Sequence, residues 1–151
     1  MKSTFLSALF ILSILNSKNQ TTDSWIEKSL SKPRVENENR FGETIEVTAT
    51  MYYAVAGQCD SDPLTTADGS RINPRSASDH KWIAMSRDLI ERWGGDFAYG
   101  DKVLIEGAGH KDGIYEVHDT MNKRFTNKID FLESEGTPLY KFESVRVTKI
   151  L

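Results

Sequence analysis

The sequence predicts a mainly β domain, a small barrel or sandwich of six short strands with one or two short helices. Three observations predict it. β-Branched and aromatic residues recur in short alternating runs, Gly, Asp and Asn punctuate the intervals, and a single stretch carries a helical pattern. Strands this short leave exposed edges in an open sheet, and closure into a barrel removes them. At 151 residues the chain suits one domain with a modest core.

The first strand is TIEVTATMYYAV, Thr44 to Val55, where Ile45, Val47, Ala49 and Met51 alternate with Thr44, Glu46, Thr48 and Thr50. Gly57 to His80 follows, dense in Gly, Pro, Ser, Asp and Asn. Irregular segments of this length inside compact domains are commonly functional. KWIAM is a second strand. SRDLIERWGG reads as a short helix with Ser86 as N-cap, Asp88 at the positive end of the dipole, and Gly94 or Gly95 as the stop. KVLIEG and IYEVHD form a hairpin that bends at Asp112 and Gly113. KIDFL is a fifth strand. KFESVRVTKIL is the sixth, with Val145 and Val147 set against Ser144, Arg146 and Thr148.

The N-terminal residues follow another pattern. Met1 and Lys2 precede an uncharged apolar run, Phe5 to Leu15, that ends at Asn16, Ser17 and Lys18. The run is shorter than the roughly 20 residues of a membrane span, and it matches a signal peptide over residues 1–17. Residues 18–42, with SKPRVENENR and Pro33, read as a polar linker, which leaves 43–151 as the domain. An exported protein is expected, periplasmic, in the cell envelope or secreted, with no membrane span once the signal is removed, and monomeric.

Composition narrows the function. A formal charge of −3 and the absence of a Lys/Arg block exclude a nucleic-acid binder. Cys59 is the single cysteine, so no internal disulfide forms, and it is given no catalytic role. His80, His110 and His118 stand at no metal-ligand spacing, and Asp60 and Asp62 lack the rest of a calcium loop, so no metal and no cofactor are expected.

Two residues interrupt the strand pattern. Asp119 closes IYEVHD and Asp130 sits between Ile129 and Phe131, although Asp is disfavoured in strands and costly to bury unpaired. Each alone reads as a turn or capping residue. Together, on short strands separated by a polar loop, they can meet across a barrel surface, where each carboxylate shifts the other's proton affinity and the pair suits acid/base work. His118 adjoins Asp119, but alternation turns the two to opposite faces, so it reads as a surface histidine. Of Tyr52, Tyr53, Trp82 and Trp93, Tyr53 is the preferred platform for a sugar ring.

The segments VTATMYY, LTTADG, WIAMSRDLI, YGDKVLIEG and VHDTMNKRFTNKIDFL, in this order from about Thr44 to Leu132, resemble the three-aspartate (3D) domain family, a double-psi β-barrel of cell-wall lytic transglycosylases. The resemblance implies a six-stranded double-psi barrel and places Asp119 and Asp130 on the family's second and third aspartates. It puts the TADG loop, Thr66 to Gly69, beside the cleft, where the Thr66 hydroxyl would hold a sugar or Asp119. Ser86 stands where the family has its first aspartate, with Asp88 two residues on as a further substrate-binding candidate. Met121 replaces the glycine of the family's DTG element.

The implied activity is cleavage of the bond between N-acetylmuramic acid and N-acetylglucosamine in peptidoglycan. An aspartate, Asp119 by position, protonates the glycosidic oxygen, and the muramoyl C6 hydroxyl attacks C1 to give a 1,6-anhydro product. In a hydrolytic variant Asp130 would be the second carboxylate, about 6.5 to 9.5 Å away for inversion. The alternative is a non-catalytic polysaccharide-binding barrel, favoured by Ser86 and Met121. An aspartic protease fits poorly, because the chain has one DT element, neither DTG nor DSG, and would have to dimerise.

Overall fold

The computed structural model describes residues 40–57 and 62–151. The expected signal peptide, nearly all of the linker, Cys59 and Asp60 lie outside the described residues. The compact unit that carries the fold runs from Asn39 to Leu151.

Six strands form, in the places the sequence marks: β1 Phe41–Tyr53, β2 Trp82–Met85, β3 Lys102–Glu106, β4 Gly113–Thr120, β5 Lys128–Glu133 and β6 Phe142–Ile150. β1 begins at Phe41, so the last residues assigned to the linker belong to the sheet. The strands close into a mixed barrel in the order β1-β5-β2-β4-β3-β6. β1 runs parallel to β5 and β2 to β4, and the other neighbours are antiparallel. β5 therefore lies between β1 and β2, and β2 lies between β5 and β4, so two pairs of strands consecutive in the chain are not neighbours in the barrel.

Each strand sends two residues inward at positions i and i+2, as the pleat requires. They are Val47 and Ala49, Ile83 and Met85, Val103 and Ile105, Tyr115 and Val117, Ile129 and Phe131, and Val145 and Val147, all at 4% exposure or less. Burial of each large apolar side chain contributes about 1.5–3 kcal/mol, so this interior ring dominates the favourable side of folding. A second, smaller cluster of Tyr52, Ile72, Ala77, Ala84, Met121 and Leu132 lies on the outer face of β1, β5 and β2. It seats the loop after β1 against the barrel wall.

The helix expected over SRDLIERWGG does not form. Two 3-10 turns, Arg87–Leu89 and Glu91–Trp93, flank an extended Ile90 (φ −97°, ψ 135°). Ile90 is 1% exposed and its backbone bridges Phe97, so core burial of that side chain overrides helical periodicity. A further 3-10 segment, Pro74–His80, interrupts the loop expected to be irregular, with Asn73 Oδ1 accepting from Arg75 N at 3.1 Å. Among the described residues no helix is long and apolar enough to cross a membrane.

Candidate functional site

β2 positions the site. Ala84 pairs with Asp130 of β5 on one side and with Asp119 of β4 on the other. Asp130 faces outward because its neighbours Ile129 and Phe131 face in. Asp119 reaches the same face by another route. Between Ile83 and Ala84 the β2/β4 register slips: Ile83 pairs with Val117 but Ala84 pairs with Asp119, leaving His118 as the extra residue of a bulge. Simple alternation from Tyr115 and Val117 would have sent Asp119 into the barrel.

The two carboxyls have different partners. Asp119 Oδ1 accepts from the backbone N–H groups of Ala67 (3.0 Å) and Thr120 (2.8 Å), and Oδ2 accepts from the Tyr52 hydroxyl at 3.1 Å. Asp130 accepts from the Thr50 hydroxyl, its cross-strand neighbour on β1. Burial pushes the Asp130 carboxyl above the usual carboxylate range and the Asp119 charge adds to the rise, against the opposing pull of the Thr50 bond and Lys128.

The TADG segment is a tight turn docked on the β4 bulge. Thr66 N donates to Ser70 O at 3.0 Å and Gly69 N to Thr66 O at 2.9 Å, with Gly69 at φ 89°, a conformation that favours glycine. Thr66 lines the groove, but its hydroxyl donates to Asp68 Oδ1 at 2.6 Å and it is 4% exposed. The loop's hold on Asp119 therefore comes from the Ala67 amide. His118 is no surface histidine. Nδ1 lies 2.6 Å from Asp68 Oδ2, Nε2 lies 3.2 Å from Glu116 Oε2, and the ring packs on Trp82 at 4.2 Å, with the side chain 13% exposed. Trp82 stacks on its other side against His80 at 4.1 Å.

Ser86, at the position where the resemblance implies an aspartate, is fully buried. Its amide donates to Lys128 O at 2.9 Å and its Oγ accepts from Lys128 N at 3.0 Å, while Asp88 Oδ2 accepts from Asn127 N at 2.9 Å. Ser86 and Asp88 thus hold two successive amides at the start of β5. Asp88 is a structural clamp, not a groove residue, and Ser86 caps no helix.

Asp119 and Asp130 lie in one open groove of about 830 Å³ on the outer wall. Tyr52, Thr66, Trp93 and Tyr99 also line it, whereas Tyr53 does not; the Tyr53 hydroxyl is turned to the carbonyl of Thr137. Trp93, 41% exposed, is the most exposed aromatic residue of the lining. Three arginines, Arg87, Arg92 and Arg124, stand along it as well. Sequence reasoning missed them because exposed arginines far apart in the chain carry no local signature. Among the described residues no group of three or more His, Cys, Asp or Glu is placed to hold a metal ion. Asp62 accepts from Thr65 Oγ1 at 2.7 Å and pairs with Arg71 at 3.1 Å.

No family model matches the chain, and no curated protein matches it.

Proposed function

We propose that this chain is an exported, lytic-transglycosylase-like enzyme that cleaves the glycosidic bond between N-acetylmuramic acid and N-acetylglucosamine in peptidoglycan with its two groove aspartates. The observation that carries the reading is that Asp119 and Asp130 reach one groove from either side of Ala84 with contrasting partners. Two strand spacings separate their Cα atoms by about 9.5 Å, so the two side chains stand on one outer face across the width of β2.

Their surroundings divide the labour. Asp130, pushed up by burial, keeps its proton to higher pH than an ordinary carboxyl and serves as the acid on the glycosidic oxygen. Asp119, held by two amides and a phenol, serves as the base. The C1–O bond breaks as Asp130 protonates the leaving oxygen. The C6 oxygen bonds to C1 and its proton passes to Asp119. This differs from what the family resemblance implies, where Asp119 alone gives the proton and then takes one and Asp130 orients it.

The second reading, a polysaccharide-binding barrel without turnover, is favoured by Ser86, whose hydroxyl supplies no third carboxylate. Purified sacculi incubated with the protein, Asp119→Asn or Asp130→Asn and analysed by mass spectrometry decide between them. 1,6-Anhydromuropeptides from the parent alone support the enzyme. Absence of product, with all three proteins pelleting with sacculi, leaves the binding module.

A further inference from the structure

The groove's arginines are arranged as stacked cations. Arg87 and Arg92 lie over the Trp93 ring, with guanidinium carbons 5.2 and 5.4 Å from its centroid, and Arg124 lies 4.7 Å from the Phe125 centroid. A ring contact occupies the face of a guanidinium and leaves its in-plane N–H fork for an acceptor. Among the described residues none of these three pairs with a carboxylate, whereas Arg71 and Arg146 pair with Asp62 and Glu106.

The segments that carry them are anchored. Phe97 N donates to Leu89 O at 3.1 Å and Glu91 N to Phe97 O at 2.8 Å, which fixes the double turn bearing Arg87, Arg92 and Trp93. Met121 N donates to Met85 O at 2.9 Å, Arg124 N to Asn122 Oδ1 at 3.2 Å, and Asn127 N to Asp88 at 2.9 Å, which fixes the loop bearing Arg124. Held stems reduce the ordering cost of binding. In a chain of net charge −3, three guanidiniums against the two carboxylates Asp119 and Asp130 leave the groove with a small positive excess, and the arginines are where an anion would be held.

We infer that Arg87, Arg92 and Arg124 form an oxyanion subsite, so that the groove takes a glycan carrying a carboxylate or a phosphate beside the bond held at Asp119 and Asp130. The inference rests on the reading of this groove as a glycan site. Arginine forks match both oxyanions bidentately, while a neutral sugar of the same shape leaves them unused.

The test is calorimetric binding of the full chain to three probes: an oligogalacturonate, its fully methyl-esterified form, and a glycerol-phosphate oligomer. The subsite requires that at least one charged probe binds about tenfold more tightly than the ester, and that the preference shrinks with added salt. Arg124→Gln, and Arg87→Gln with Arg92→Gln, should each remove most of that preference at unchanged melting temperature. Arg75→Gln, exposed and outside the groove, should not. Preference for the uronate assigns the oxyanion to a sugar acid, and preference for the phosphate oligomer to a phosphodiester glycan. Equal affinity for acid and ester, no binding of either charged probe, or an equal loss in Arg75→Gln overturns the inference. Binding needs no turnover, so a parent protein that shows no charge preference yet forms anhydro-product sinks the subsite alone, and one that shows the preference but forms no product sinks only the cleavage reading.

Discussion

Asp119 and Asp130 sit on opposite flanks of Ala84, each in register with it, one reached through a parallel pairing and the other through an antiparallel one. Ala84 is 4% exposed and small, so the strand between the two carboxyls adds no side chain that would fill the groove. The site is therefore as rigid as the β4-β2-β5 sheet itself.

Tyr52→Phe tests the hold on Asp119. The hydroxyl donates to Oδ2 at 3.1 Å, and the ring is 8% exposed in the outer cluster, so Phe keeps the packing and removes one bond to a charged acceptor. Such bonds are worth about 1.5–3 kcal/mol. Turnover, measured as the rate of anhydro-product release, should fall about tenfold or more, and the melting temperature should fall by several degrees.

Asp130 links stability to pH. Its folded carboxyl is raised, chiefly by burial, so its favourable contribution is complete below the unfolded pKa and is lost as pH rises through the folded one. Asp130→Asn should melt higher than the parent at pH 7. The gain should shrink as the pH is lowered toward 3, and a constant gain at every pH would contradict the assignment.

Glu133 behaves in the opposite sense. Burial pushes its carboxyl up, but bonds from Lys111, Ser78 and Tyr140 outweigh burial and hold it below its ordinary value. Its stabilisation is present above the unfolded pKa and is lost as pH falls through the folded one. Glu133 is 3% and Lys111 16% exposed, so Glu133→Gln strands a largely buried ammonium and should cost about 3 kcal/mol at pH 7 by denaturant titration. The difference from the parent should narrow in acid.

Gly95→Ala probes the double turn under Arg87 and Arg92. A Cβ there would lie 2.1 Å from the Leu89 carbonyl carbon, a backbone atom that cannot give way cheaply. The expected cost is about 2–3 kcal/mol, together with a weakened charge preference in the calorimetric assay. Unchanged stability and binding would show that the turn can shift without moving the rim.

Much of this architecture was legible in the chain. The first and last strands were marked by alternation, since a pleated strand with one buried face must place apolar residues two apart, as Val145 and Val147 do, and the other four by short apolar runs between turn residues. The expected helix failed because Leu89, Ile90 and Trp93 mimic helical spacing, while the core takes Ile90 in an extended conformation with Leu89 packed against it. Tyr53, the aromatic the sequence favours as a platform, lies outside the groove: β1 alternation turns Tyr52 toward it, while Tyr53 binds Thr137.

The sequence by itself determined the strands, their inward residues and the two aspartates that break the pattern, because these depend on a two-residue period written along the backbone. Only the tertiary structure decided where those aspartates point and what surrounds them. Register is a property of paired strands: the slip at His118 brings Asp119 to the outer face, and barrel closure carries Arg87, Arg92 and Arg124 to the groove that Asp119 shares with Asp130. No local period encodes contacts made by residues that distant in the chain.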